Sequence, residues 1–288
     1  MSDPAREPIP VQEVDLDRPN VARVYDYWLG GDANWAIDRI FADRVAKEIP
    51  LVREMAVANR QFLNRAVAYL CRQGVRQFLD IGSGIPTAGN THEVADEVGT
   101  DTRVVYVDHE AVAVAHGEEL LDAKGDPSRH AVVEADLRNP DDLWAEAMST
   151  GVLDPNEPIG LLMFAVLHVA QPGLDGTDLA HHAVDRYREL LARGSYLAVS
   201  HVTTDGVPAD AAKRFEQVVA LYEHSSSRVA LRSRSDIERF MGEFVLVDPG
   251  MVWIPQWRST EQTGSFQQAV SFNDPRESMV WAGVARKP

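Results

Sequence analysis

Cysteine is almost absent from this 288-residue chain, and basic residues are scarce. The single cysteine, Cys71, cannot form an internal disulfide, which excludes a disulfide-stapled fold and suits a reducing cytoplasm. Lys and Arg number 28 against 44 Asp and Glu, for a net charge of −16, and no Lys/Arg-rich run occurs. A nucleic-acid backbone is neutralised by clustered cations, so nucleic acid is not expected as a partner. Long apolar runs are missing as well. The longest, Ile159 to Ala170, is too short to cross a bilayer, so no membrane association is expected. Met1 to Asp17 is polar, carries Pro4, Pro8 and Pro10, and has no apolar stretch of the kind a signal peptide needs. No His, Cys, Asp and Glu cluster has ligand-like spacing, so no metal site is expected. The remaining composition, 45% hydrophobic and 25% charged, is that of a globular protein, expected here to be cytoplasmic.

What the chain does contain is the run Gln77-Phe-Leu-Asp-Ile-Gly-Ser-Gly-Ile-Pro86. A short apolar strand carries an acid near its end and breaks at once into G-x-G. Glycine alone combines free φ with no side chain, so backbone at Gly82 and Gly84 can approach a ligand closely. Asn90 and Glu93 stand at capping-box spacing, so a helix is expected to follow the loop. Strand, Gly loop and helix together form a nucleotide-binding arrangement. The acid, Asp80, suits a ligand with an amine at that point and would repel a pyrophosphate.

Around this motif the elements alternate. Residues 1–17 read as a flexible tail, and 18–74 as a helical cap. In the cap, Val21, Val24, Tyr25 and Trp28 form one helical face ended by Gly30-Gly31. Ile37, Ile40, Phe41 and Val45 form a second face before Pro50. Met55, Phe62, Ala66, Val67 and Leu70 form a third in a helix over Val52 to Arg72. From residue 75 to 288 one α/β domain is expected. Its strands are Phe78 to Ile81, Val104 to Val107, Ala131 to Glu134, Ile159 to Leu167 and Ser195 to Ser200. Helices over Asp141 to Met148 and Gly176 to Ala192 lie among them. This alternation implies a mostly parallel sheet with helices on both faces. Ser235 to Glu238 reads as a capping box. Phe244 to Val247 and Met279 to Ala285 read as two edge strands joined by a polar loop, for seven strands in all.

The first three strands lead into acids: Asp80, Asp108 and Asp136. Ligands of open α/β sheets bind beyond the carboxyl ends of the strands. Asp108 can accept from both ribose hydroxyls, and Asp136 can reach an adenine amino group. Together they describe a site for an adenosine without phosphates. For each acid alone, a solvated strand end or a helix cap is the competing account.

At these residues the chain resembles the class I S-adenosylmethionine-dependent methyltransferases, with their Rossmann-like fold. The resemblance covers roughly Gln77 to Arg286. A narrower likeness spans Arg18-Pro-Asn-Val-Ala-Arg-Val-Tyr-Asp-Tyr-Trp-Leu-Gly-Gly31, Asn59-Arg60 and Gly84-Ile-Pro-Thr-Ala-Gly-Asn-Thr-His-Glu93. These segments are similar to a bacterial family of candidate S-adenosyl methyltransferases that once carried only an unknown-function label. The resemblance implies bound S-adenosyl-L-methionine and adds Ser83, His109, Leu137 and Ala165 as cofactor contacts. Pro86 stands where the family's loop usually has its third glycine, which stiffens the loop and removes an amide donor. The dinucleotide fingerprint fails at Thr87, which argues against a nicotinamide-dependent reductase. That reading, and a cofactor-binding protein without transfer activity, stay open as alternatives.

The sulfonium donor is already activated, so positioning and exclusion of water are the main tasks of such a protein. His168, after the fourth strand, is the best-placed candidate base or acceptor-orienting group; a histidine hydrogen-bonded to backbone is the plainer account. His201 follows it on the same logic. In the cap, Tyr25 and Trp28 read as packing residues. Tyr27, Asn34 and Arg60 lie off the apolar stripes or at their edge and are the expected contacts. Arg60 can pair with the cofactor's carboxylate, and a surface arginine on an exposed helix face is the plainer account. An aromatic segment around Gly30-Gly31 could cover the sulfonium. The fourth strand lacks the Asn/Asp-Pro-Pro-aromatic element of base-methylating enzymes, which points to a small, neutral or cationic acceptor. The oligomeric state is not legible.

Overall fold

The computed structural model describes residues 15–86, 89–99, 101–223, 225–261, 266 and 268–288. Most of the N-terminal tail and Thr87 lie outside them. Three helices lead: α1 (Val21–Trp28), α2 (Ala36–Glu48) and α3 (Val52–Arg72). After them come β1 (Gln77–Ile81), α4 (Thr91–Val98), β2 (Arg103–Asp108), α5 (Ala111–Lys124), β3 (His130–Glu134) and α6 (Pro140–Ser149). They are followed by β4 (Ile159–Phe164), α7 (Ala180–Leu190), β5 (Tyr196–Val202), α8 (Ala209–Tyr222) and α9 (Arg234–Arg239). The short β6 (Val245–Leu246) and β7 (Val252–Trp253) precede β8 (Val280–Arg286).

The strands form one sheet in the order β3-β2-β1-β4-β5-β8-β6, with β7 also paired to β8. The first five run parallel and β8 is antiparallel to β5. Alternate side chains on each strand serve opposite faces. Phe78, Leu162, Phe164 and Ala198 meet α3, α4 and α8 on one face. Leu79, Leu161, Met163 and Leu197 meet α6 and α7 on the other. Helices α1 to α3 thus share a core with the sheet. The order reverses between β1 and β4, which opens a crevice at their carboxyl ends.

Several boundaries differ from the sequence reading, each for a local reason. Strand β4 stops at Phe164, not Leu167, because Ala165 adopts φ +54°. Strand β5 runs on through Val202, so His201 lies inside the sheet with no exposure. Helix α7 begins at Ala180; before it, Asp175 accepts from Thr177 in a tight turn instead of a first helical turn. The cap of α9 is Ser233, which accepts from Asp236 N at 3.2 Å, and not Ser235. The expected strand Phe244 to Val247 shortens to β6, and β7 follows Pro249-Gly250 as a further strand, so the sheet has eight strands where seven are expected. Leu246 pairs with Ala285 and Trp253 with Trp281, so β6 and β7 share one edge of β8 and β8 is an interior strand. Helix α8 has no counterpart in the sequence reading.

The N-terminal helices are held by a buried polar knot. Asn20 Oδ1 accepts from Ala22 N and Arg23 N and caps α1. Asp38 accepts from Asn20 N, Arg23 Nε and Trp35 N at 2.9–3.0 Å. Arg23 and Asp38 are 1% and 0% exposed, so this ion pair sits wholly inside. Among the described residues, no helix is long and apolar enough to cross a membrane.

Candidate functional site

A cavity of about 210 Å³ opens over the carboxyl ends of β2, β1, β4 and β5 and is walled by α1, α3 and α8. Asp80, Gly82, Ser83, Gly84, Asp108 and His109 line it, and so do Arg60, Leu137, Ala165 and His168. The sequence reading of the Gly loop and of two strand-end acids therefore converges on one space.

The loop after β1 is shaped by its glycines. Gly82 has φ +71°, and a Cβ there would meet Val166 Cγ2 at 2.4 Å, so the loop and the end of β4 touch only because Gly82 lacks a side chain. Gly84 has φ +66°, and nothing lies within 4 Å of a Cβ built on it, so bare backbone faces open space. Gly84 N donates to Asp108 Oδ2 at 2.8 Å and Glu110 N donates to Oδ1 at 3.0 Å. Each Asp108 oxygen accepts one amide and retains a lone pair for a ligand hydroxyl.

Asp80 is 4% exposed. Burial pushes its carboxyl up to about 6, against the lowering effects of the Thr91 hydroxyl and the Arg60 charge. Thr91 Oγ1 donates to it at 2.6 Å. Such a carboxyl gains from a cationic ligand that restores its charged form. Arg60, 9% exposed, donates to Asn90 Oδ1 at 2.8 Å beside the loop. Helix α4 starts where Glu93 Oε2 accepts from Asn90 N.

Three expected site residues are turned elsewhere. Asp136 stands beyond the end of β3 and does not line the cavity; its carboxylate takes the Arg138 guanidinium through Nε and Nη2. Asn34 donates to Asp26 Oδ2 and Gly31 O and fastens the turn after α1. Tyr27 packs partly buried against the core away from the cavity, and its hydroxyl donates to Asp43 Oδ1 at 3.2 Å under the Arg53 guanidinium. Tyr25 and Trp28, read as packing residues on the apolar face of α1, line the cavity. An amphipathic stripe buries itself against whatever volume the fold encloses, and here that volume is a pocket.

Other lining residues escaped the sequence reading. Tyr25, Asn59 and Ser200 form a chain in which Asn59 Nδ2 donates to Tyr25 Oη at 2.9 Å and Ser200 Oγ donates to Asn59 Oδ1 at 2.6 Å. Ala165 N donates to Ser200 Oγ at 2.9 Å, which holds the left-handed residue at the end of β4. Phe215, Val218 and Tyr222 reach the cavity from α8, and their i, i+3, i+7 spacing was the available signal. His168 lines the same space; burial and the Arg232 charge push its imidazole down to about 4. His201 does not line it. Among the described residues, no cluster of His, Cys, Asp and Glu could hold a metal.

The arrangement fits S-adenosylmethionine: a buried carboxyl in need of a cation, a carboxylate with lone pairs at the next strand end, and glycine backbone facing the space between. A family model described as S-adenosyl methyltransferase matches residues 8–288. A candidate methyltransferase from Thermobifida fusca is 35% identical, with a TM-score of 0.80 over 95% of this chain and 96% of its own. A DUF574 family protein from Streptomyces avermitilis is 32% identical, with a TM-score of 0.83 over 96% of this chain and 100% of its own. No curated protein matches. On the extent of the family match and of these two likenesses, the chain belongs to the S-adenosyl methyltransferase family and is a methyltransferase with S-adenosylmethionine as its cofactor.

Proposed function

We propose that the enzyme methylates a small-molecule acceptor held in the same cavity as the cofactor, by direct in-line transfer. The observation that carries this reading is the single cavity itself. Its one end has Asp80, Asp108 and the Gly82–Gly84 backbone, and its other end is an apolar space within the same walls. In this reading Asp108 accepts the ribose hydroxyls, and Asp80 accepts the amine of the cofactor's amino-acid end. Arg60, anchored on Asn90, faces the carboxylate of that end. Ser83, His109 and Leu137 flank the nucleoside, and Ala165 borders the reacting centre. Residues 18–74 serve as the cap that closes the cavity over the domain at 75–288.

Bound S-adenosylmethionine supplies an already activated methyl group, so the protein's contribution is alignment and exclusion of water. Trp28 and Tyr25 from α1 and Met55 from α3 exclude water above the strand ends. The test is equilibrium binding. S-adenosylhomocysteine should bind the purified protein and raise its melting temperature, and NAD and NADP should not. Stabilisation by NAD with none by S-adenosylhomocysteine would refute the proposed site.

A further inference from the structure

The two halves of the cavity differ in charge. Its lining carboxylates, Asp80, Asp108 and Glu110, all stand at or just beyond the ends of β1 and β2. Beyond β4 and β5 the wall is mainly apolar, with Val45, Met55, Phe215, Val218, Tyr222 and Val229. Beside them stand the polar side chains of Asn59, His168, Ser200 and Gln171, whose Nε2 donates to Val169 O at 2.9 Å. Arg228 is the cation of this half; it is largely exposed and pairs with Glu223 at 3.0 Å. Among the described residues, no carboxylate and no buried cation faces the inner half. An ionised group placed there would lose its water without gaining a partner.

The polar atoms of the inner half are mostly spoken for. Tyr25 Oη donates to Ala56 O, and the Ser200 hydroxyl donates to Asn59. His168 differs. Val202 N–H points at its Nδ1 at 3.4 Å, so the ring hydrogen resides on Nε2. Among the described residues, no protein group pairs with that Nε2, nor is it sealed away as a buried unpartnered atom. Behind the ring, His201 packs edge-on at 5.6 Å. His201 Nε2 accepts from Arg232 at 2.8 Å and its Nδ1 donates to Val202 O at 2.6 Å. Arg232 also donates to Leu167 O and pairs with Asp178. A fixed guanidinium thus stands behind both rings, and it opposes a second proton on either.

We infer that the acceptor is an uncharged, mainly apolar molecule that presents a carbonyl or ether oxygen to the His168 Nε2–H. His168 is then a positioning residue that donates a hydrogen bond, and not the base that removes the acceptor's proton. This rests on the methyl-transfer reading and removes the cationic acceptors that the sequence left open.

The experiment uses the full chain saturated with S-adenosylhomocysteine and four naphthalene probes of one ring size: 1-acetonaphthone, 1-ethylnaphthalene, 1-naphthylmethylammonium and 1-naphthoate. Isothermal titration should rank the ketone about tenfold or more above the ammonium and the carboxylate. His168→Leu should weaken the ketone about tenfold and leave the ethyl compound unchanged, because only the ketone loses a hydrogen bond. His168→Gln, which keeps an N–H donor, should restore ketone binding to within about threefold. Equal or tighter binding of either ion, equal losses of ketone and hydrocarbon in His168→Leu, or binding of none of the probes would overturn the inference. Saturation with S-adenosylhomocysteine is measured first. Its failure would strike the methyl-transfer reading itself, whereas its success with any of the other outcomes strikes only the acceptor chemistry.

Discussion

Replacing Asp80 with Asn should make the ligand-free enzyme more stable while weakening its hold on the cofactor. The carboxyl is 4% exposed, and burial lifts it from 3.8 to about 6. A difference of about 2 pKa units at about 1.4 kcal/mol each places the cost of folding around the ionised form on the order of 3 kcal/mol. The folded value exceeds the unfolded one. The group's favourable contribution is therefore complete below about pH 4 and disappears as pH rises through about 6. The amide introduced by Asp80→Asn would keep an oxygen for the Thr91 hydroxyl and carry no charge to desolvate. Urea unfolding without ligand at about pH 7.5 should show Asp80→Asn more stable by up to about 3 kcal/mol, with an unchanged m-value. The variant should also lose the decline in stability that the wild type shows between about pH 4 and pH 7. Calorimetric titration with S-adenosylhomocysteine should show the opposite sign, since the ammonium loses its counter-charge. A variant no more stable than wild type at neutral pH, with the same pH slope, would refute the reasoning about burial; unchanged affinity would refute the assignment of the amine.

Other substitutions probe the remaining parts. Asp108→Ala should weaken S-adenosylhomocysteine by about 1–3 kcal/mol in titration calorimetry, through lost hydrogen bonds to a charged group. Gly84→Ala should cost about 1–2 kcal/mol in urea unfolding, the strain of a left-handed alanine. Gly82→Ala should cost about 1–3 kcal/mol more than Gly84→Ala, because its new methyl also overlaps Val166. Asp38→Ala should destabilise by about 3–5 kcal/mol, since it strands the buried Arg23 guanidinium. It should also reduce cofactor affinity, because α1 forms part of the cavity wall.

The alternation of strands and helices was legible because its signals are local: apolar runs, Gly loops and caps at fixed spacing. Asp80 and Asp108 were legible for the same reason, since a strand end followed by a loop determines where its acid points. Asp136 stands two residues past the end of β3, and Arg138, two residues further on, takes its carboxylate; the sequence contained both residues but not their competition. The cap was legible only in part: Arg60 lines the cavity, whereas Asn34 and Tyr27 do not. Tyr25 and Trp28 occupy the apolar stripe of α1, and periodicity cannot tell a face packed into core from one facing a cavity. Tyr27, off the stripe, packs beside the core with its hydroxyl on Asp43 and its ring under Arg53. His201 was misplaced by a strand boundary drawn too short, and with it the edge-on contact between the His201 and His168 rings. Long-range partners of this kind have no local signature.

Strand β5 is flanked by β4 on one side and by β8 on the other, and β8 lies some 80 residues later in the chain. During synthesis, Tyr196 to Val202 must therefore wait with one row of amides and carbonyls bare while α8, α9 and the β6–β7 segment are made. The strand is buried on both faces in the finished enzyme, so the nascent intermediate offers an apolar ribbon open to any passing chain. Heterologous production should then be limited by aggregation before β8 docks, and slowed translation through the region between these two strands should lower the soluble yield more than slowing elsewhere.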